Sequence, residues 1–238
     1  MNGFTAPNVK TYGVYSEVAA DVNILIGGAP GSGKSVFEDG IIYNLVNAFT
    51  PDDVEIYLID PKIVQLRKWV CLPHVKKYAC TVDEAKVTLD SVISRMMKRY
   101  EVMARREVEK YKGTAIYVII DELADLILED RKGIQDRLYK LMRLCRAANI
   151  HVVCCSQSVS RLTLPAVLQV CITCRVGLNT ADAIDSRQII KSKGCEDLPR
   201  FGKCIINSPD GVRMRDVPMY SQRHIDAMRR YWMAQKGR

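Results

Sequence analysis

Between an apolar run, Val22 to Ile26, and a helical pattern that continues to about Phe49 stands Gly28-Ala29-Pro30-Gly31-Ser32-Gly33-Lys34-Ser35, which satisfies G-x-x-x-x-G-K-[ST] without a mismatch. Strand, glycine-rich loop and helix in that order is the context the motif requires. The glycines let successive backbone N–H groups turn inward, the helix N-terminus adds its positive end, and a lysine brings a full charge to the same place. The bland alternative is a glycine turn that caps an ordinary helix. The motif points instead to a nucleotide polyphosphate held by Gly28, Ala29, Pro30, Gly31, Ser32, Gly33, Lys34 and Ser35 together with Val36. Lys34 would meet the β and γ phosphates and Ser35 a magnesium ion, so ATP and Mg2+ are the expected ligands.

The rest of the chain alternates in the same way. Strands are expected at Val54 to Ile59, Ala115 to Ile120 and Ile150 to Cys155, and near Cys171 to Leu178 and Lys203 to Ile206. Asp60-Pro61 stops the second strand and starts a long loop reaching about Cys80. Asp83-Glu84 begin a helix whose apolar residues Ala85, Leu89, Val92, Ile93, Met96, Tyr100 and Met103 keep helical spacing. Its charged residues, Lys98, Arg99, Arg105 and Arg106 among them, read as a solvated face interleaved with acids. Helical sequence from Leu123 to Ala148 breaks near Lys132-Gly133, and a basic helix closes the chain near Gln222 to Trp232. Such alternation implies an α/β fold, a mostly parallel sheet with helices on both faces. One domain over 1–238 is expected, with a lead over 1–20 and the basic helix within 217–238.

The run Tyr117-Val118-Ile119-Ile120 ends in Asp121-Glu122. Standing alone, the aspartate would read as the cap of the next helix. Beside a phosphate loop it reads as the second metal group, with Asp121 on the magnesium water shell and Glu122 orienting or deprotonating the water that attacks the γ-phosphate. At the next strand tip Gln157 is either a γ-phosphate sensor or a polar loop residue.

The formal net charge of +8 favours an anionic partner without proving one. Nine cysteines, several inside apolar runs, imply free thiols in a reducing compartment. Cys171 and Cys174 have C-x-x-C spacing but no second pair, and His74, His151 and His224 are scattered, so core packing is the reading for all of them. Neither a signal peptide nor an apolar run of about 18 residues is present, so a cytoplasmic chain without direct membrane insertion is expected.

Four further segments carry a resemblance. Ile59-Asp60-Pro61-Lys62, Ile120-Asp121-Glu122-Leu123-Ala124-Asp125-Leu126, Arg146-Ala147-Ala148-Asn149-Ile150-His151 and Ile184-Asp185-Ser186-Arg187 follow the phosphate loop in the order seen in the FtsK/SpoIIIE motor domain, which the chain resembles from Ile24 to about Ile206. The resemblance implies a RecA-like P-loop NTPase fold and an ATPase that translocates double-stranded DNA. It also implies a homo-oligomeric ring, a hexamer, with an arginine finger supplied in trans. Arg146 stands at the finger's place, with Arg143 a competing candidate and a dipole-stabilised helix-end cation the bland reading.

The chain also departs from the family. Ser156-Gln157-Ser158-Val159 replaces T-Q-R-P, Ala183 replaces a lysine, and Gln169 sits near another lysine position. Arg161 and Gln169 are the DNA-contact candidates, Arg161 as a substitute cation. The larger relatives carry a membrane region and a winged-helix reader of polarity, and a motor without either, of phage, plasmid or integrative-element type, is the expectation here. Viral packaging, conjugative transfer and a nucleotide-gated assembly factor that moves no DNA are the alternatives.

Overall fold

In the computed structural model, which describes residues 13–235, strands β1 (Asn23–Gly27), β2 (Val54–Ile59), β3 (Val75–Ala79), β4 (Ala115–Ile120), β5 (Ile150–Ser156), β6 (Cys174–Gly177), β7 (Lys203–Ser208) and β8 (Gly211–Asp216) form one sheet. Its order is β3-β2-β4-β5-β1-β6-β7-β8. The strands from β3 to β6 run parallel, and β7 and β8 add an antiparallel hairpin at one edge.

Successive strand residues point to opposite faces, and both faces are apolar because both are covered. Leu25, Val118, Ile120 and Val152 pack beneath α3 (Val82–Arg106), α4 (Leu123–Glu129) and α5 (Arg131–Leu144). Ile24, Ile26, Ile119 and Val153 pack beneath α1 (Gly13–Ala19), α2 (Lys34–Ala48) and α8 (Gln222–Gln235). Short helices α6 (Ala166–Gln169) and α7 (Ala183–Ile190) flank β6.

Local chemistry fixes where the helices begin and end. Thr81 and Glu84 form a reciprocal capping box at the start of α3, and Glu107, left-handed at φ 53°, ends it. Asp130 separates α4 from α5, two residues before the expected break, because its carboxylate accepts from the Gly133 amide at 2.9 Å. Lys86 donates to the same carboxylate at 3.0 Å.

Several expectations are corrected. The segment expected to be loop up to Cys80 contains a 3-10 turn at Arg67–Trp69 and the edge strand β3. That strand reads Val-Lys-Lys-Tyr-Ala, and lysines are common on edges because they discourage further pairing. Strand β8 was hidden for the same reason, its residues being mostly exposed. The strand expected at Cys171 starts at Cys174, since Cys171 still belongs to the turn after α6. Arg99 does not lie on a solvated face: it is buried and donates to three backbone carbonyls, those of Ala148 at 2.6 Å, Asn149 at 3.1 Å and Thr114 at 2.7 Å.

The expected lead supplies a core helix. Tyr15 and Val18 of α1 are fully buried, and Gly40 of α2 leaves the gap that the Tyr15 ring fills. At the other end α8 buries Ile225, Met228 and Trp232, and the Trp232 indole N–H donates to Val46 O at 2.9 Å. Residues 1–12 of the lead and 236–238 of the final helix lie outside the described residues.

Candidate active site

Strands β4, β5 and β1 are neighbours, with Ile120 opposite Cys154 and Gly27 opposite Ser156. Three carboxyl ends therefore deliver the phosphate loop, Asp121-Glu122 and Ser156-Gln157 to one crevice, the place where open parallel sheets bind ligands. The loop turns through left-handed Gly31 (φ 73°) and Gly33 (φ 95°), conformations that glycine adopts without a Cβ clash. Helix α2 then starts at Lys34. Inside the loop the Ser32 hydroxyl is buried and has no hydrogen-bond partner among the described residues. An orphaned donor facing inward, beside a helix N-terminus and a lysine, fits a phosphate oxygen.

Lys34 is buried, and its ammonium group reaches across to the next strand tip but one. Nζ donates to Asp121 O at 3.0 Å and lies 3.5 Å from Asp121 Oδ1 and 3.8 Å from Glu122 Oε2. Burial works against the charge, but the acids around it, Asp121, Glu122 and Glu38, outweigh burial and hold its pKa above the ordinary lysine range.

Glu122 is the most tightly fixed acid of the site. The Ser156 hydroxyl donates to Oε1 at 2.9 Å, and the Gln157 backbone N–H donates to the same oxygen at 3.1 Å. Lys62 Nζ lies 3.5 Å from Oε2 and 3.4 Å from Asp125 Oδ2. Gln157 thus reaches the site through its backbone, while its side chain is exposed. Ser35 is exposed at the mouth of the loop; a hydroxyl and a carboxylate, as Ser35 and Asp121 carry, are the hard oxygen donors that could hold magnesium.

Beside Ser32, Gly33 and Val36 lies an apolar pocket of about 420 Å³, closed by Leu178, Phe201, Val217 and Met219, which suits a flat, largely apolar ring such as a nucleotide base. Arg200 Nε donates to Gly31 O at 3.3 Å, and its guanidinium lies 5.5 Å from the Phe201 ring centre. Sequence reasoning missed Lys62, Ser156, Arg200 and this apolar wall. Lys62 alone had a signal, as the last residue of the quoted Ile-Asp-Pro-Lys segment. The aspartate of that segment is structural, accepting from the Leu66 amide at 2.9 Å.

Arg146 is elsewhere. It is exposed in the turn that precedes β5, at the end of the sheet opposite Lys34, with no ion pair or side-chain hydrogen bond among the described residues. Arg143 lies over the Tyr139 ring at 5.2 Å. Arg161 and Gln169 line a separate polar cleft of about 290 Å³ with Ser160, Gln188 and Lys191. Lys191 Nζ donates to Gln169 Oε1 at 2.7 Å, so a cation stands beside the position where the sequence places a glutamine.

The sequence profile of the FtsK/SpoIIIE family matches residues 8–115. Among curated relatives, the DNA translocase FtsK of Caldanaerobacter subterraneus subsp. tengcongensis is 33% identical over 78% of this chain and 28% of its own length. The DNA translocase SpoIIIE of Bacillus subtilis is 30% identical over 80% of this chain and 27% of its own. The chain therefore spans 28% and 27% of the length of these two relatives. Among solved structures, a monomer form of the pCW3 conjugation coupling protein TcpA with ATPγS superposes with a TM-score of 0.79 at 19% identity, over 93% of this chain and 66% of that one. ATPases 2 and 3 of EssC from Geobacillus thermodenitrificans give a TM-score of 0.78 at 18% identity, over 91% of this chain and 45% of that one. These two likenesses establish a P-loop ATPase fold. Its ordered motifs and its match to these relatives over more than three quarters of its length show that the chain belongs to the FtsK/SpoIIIE family.

Proposed function

We propose that this chain is the ATP-hydrolysing motor of a double-stranded DNA translocase, a single motor domain acting in the cytoplasm as a ring of copies, a hexamer. One observation carries the reading: Lys34, Asp121 and Glu122 form a buried cluster at adjacent strand tips, with the Glu122 carboxylate fixed by an O–H and an N–H donor. The relatives' names supply the cargo.

Lys34 begins paired with acids and exchanges them for the β and γ phosphates of ATP, while the loop amides and the Ser32 hydroxyl take the remaining oxygens. Ser35 and Asp121 would hold magnesium, which when bound neutralises charge on the phosphate oxygens. Ser156 and Gln157 stop the Glu122 carboxylate from turning, so that it faces the attacking water and takes its proton. Lys62, shared with Asp125, is a second cation on the same carboxylate oxygen that Lys34 approaches, so Glu122 keeps a counter-charge when Lys34 turns to the phosphates. Arg146, remote from its own Lys34, serves the neighbouring copy's γ-phosphate, where charge spreads over the oxygens at the transition state. Arg161 and Gln169, with Lys191 beside them, contact the DNA backbone.

Steady-state hydrolysis is measured with long duplex DNA, with single strands and without nucleic acid. Duplex-specific stimulation is expected, together with loss of turnover in Lys34→Ala and about 10²- to 10⁴-fold loss in Glu122→Gln. Lys34-dependent hydrolysis indifferent to duplex would replace the translocase by a nucleotide-gated assembly factor.

A further inference from the structure

The apolar pocket beside the phosphate loop has one wall that hangs on the loop itself. Phe201 stands between the 3-10 turn Cys195–Asp197 and β7, and its ring lines the pocket although the residue is 62% exposed. Two threads join this connection to the loop. The Ala29 N–H donates to Asn179 O at 2.9 Å, and Asn179 Nδ2 donates in turn to Leu198 O at 2.8 Å. Two residues further on, Arg200 Nε donates to Gly31 O at 3.3 Å, and its Nη2 lies 2.6 Å from where a Cβ on Gly31 would begin. Past Phe201, Gly202 O accepts from the Val217 N–H at 2.8 Å, which ties the connection to another lining residue of the pocket.

Arg200 is an exposed cation without an acid. No ion pair involves it among the described residues, and the phosphate-loop carbonyl is its one hydrogen-bond acceptor there. Five N–H donors open to solvent need no carbonyl, since water serves them equally well. The contact matters instead for its neighbour. The guanidinium carbon lies 5.5 Å from the Phe201 ring centre, within the range at which a cation is drawn to an aromatic ring. A ring so exposed is not fixed by packing, and Arg200, anchored on Gly31 O, supplies the hold that packing leaves out. Phe201 Cδ1 comes within 3.9 Å of where a Cβ on Gly33 would stand, so the ring is kept over the glycine that precedes Lys34.

We infer that Phe201 is the platform on which the nucleotide base stacks, and that Arg200 is a positioning residue, a latch from Gly31 O that keeps this ring beside the phosphate loop. The inference rests on the phosphate loop holding a nucleotide, as in the function proposed above. Stacking of a base on an aromatic side chain is commonly worth about 5-fold to more than 100-fold in affinity, and a solvent-exposed cation on a ring about 2- to 5-fold.

The test is calorimetry on the full chain with two ligands that are not hydrolysed, ADP and inorganic pyrophosphate, of which only ADP carries a base. Phe201→Ala is expected to weaken ADP binding about tenfold and Arg200→Ala about fivefold, with pyrophosphate binding unchanged within about twofold in both. Because Arg200 acts through the ring, the double variant should bind ADP no more weakly than Phe201→Ala alone. Arg200→Met, which keeps the side-chain stem, carries the same expectation as Arg200→Ala and replaces it should that variant not fold. Equal losses for ADP and pyrophosphate in Arg200→Ala would make Arg200 a phosphate contact and overturn the latch. Losses that multiply in the double variant, or an Arg200→Ala chain that binds ADP as the wild type does, overturn it as well. A wild-type chain that binds ADP no more tightly than pyrophosphate removes the base from the pocket, while Lys34-dependent binding of both ligands would leave the proposed function standing.

Discussion

Lys34 and Arg99 are both buried cations at opposite ends of the sheet, and their partners differ in kind. At the carboxyl ends of the strands Lys34 faces two carboxylates and a single carbonyl. At the amino ends Arg99 faces three carbonyls, and Arg175 likewise holds Ile189 O and Gln169 O, each at 3.0 Å. A backbone carbonyl is fixed by the chain and cannot turn to a ligand, so an arginine that satisfies it is committed to the fold. A carboxylate can take a metal or a water as its partner in place of the lysine, so the lysine it balances is free to change partners. The kind of acceptor, more than the depth of burial, separates the cation that works from the cation that builds.

The sharpest way to break this contrast lies next to Arg99. The turn that Arg99 fastens carries Arg146, and Arg146→Ala is expected to lower turnover by about 10³-fold or more while leaving the melting temperature in place. Mixing Arg146→Ala with Lys34→Ala chains should restore activity, because some interfaces then pair two intact halves; a mixture as dead as its components would place Arg146 outside catalysis. Arg99→Met should do the reverse, costing about 2–4 kcal/mol of stability as Ala148 O and Thr114 O lose the guanidinium and Asn149 O keeps only the Ile116 N–H, read from urea midpoints. Unaltered stability in that variant would dissolve the distinction.

His74 extends the builder class. Its buried Nε2–H donates to Phe49 O at 2.9 Å, and burial lowers its pKa from 6.5 to about 4. The native state thus stays neutral where the unfolded chain takes up a proton, so stability is complete above pH 6.5 and is lost as the pH falls toward about 4, by roughly 2–3 kcal/mol. His74→Gln should flatten that part of the melting temperature profile against pH. The smallest effect belongs to the exposed cleft, where Lys191→Ala should reduce the salt dependence of duplex binding by about one unit of slope, with little change in stability. A slope unaltered by the substitution would remove Lys191 from the DNA path.

The inner strands and the phosphate loop were legible because a buried parallel strand must be apolar throughout, and Val54–Ile59 and Ala115–Ile120 fall where the sequence predicts. Edge strands β3 and β8 were not, since Lys76, Lys77, Arg213 and Arg215 interrupt the pattern that burial would impose. The site divides along the same line. Lys34, Asp121 and Glu122 were readable as consecutive motif letters, whereas Ser156, Lys62 and Glu38 come to them from other strand tips or the next helical turn, and only topology brings them together. Arg99 was misread because helical spacing gives the face a residue occupies and not whether a turn of the neighbouring chain segment lies over it.

Strand β5 starts four residues after Arg146 and ends at Ser156, one bond from the Gln157 amide that holds Glu122. Its seven residues make a rod of roughly 20 Å, clamped on either side by β4 and β1. In a ring built as proposed, the arginine touching one copy's nucleotide and the groups aligning water on the next are the two ends of that rod. A shift of the arginine by an ångström would reach the neighbouring water almost undiminished, since a strand hydrogen-bonded on both sides has little freedom to stretch. Successive firing around such a ring would need no signalling loop, only the stiffness of one strand.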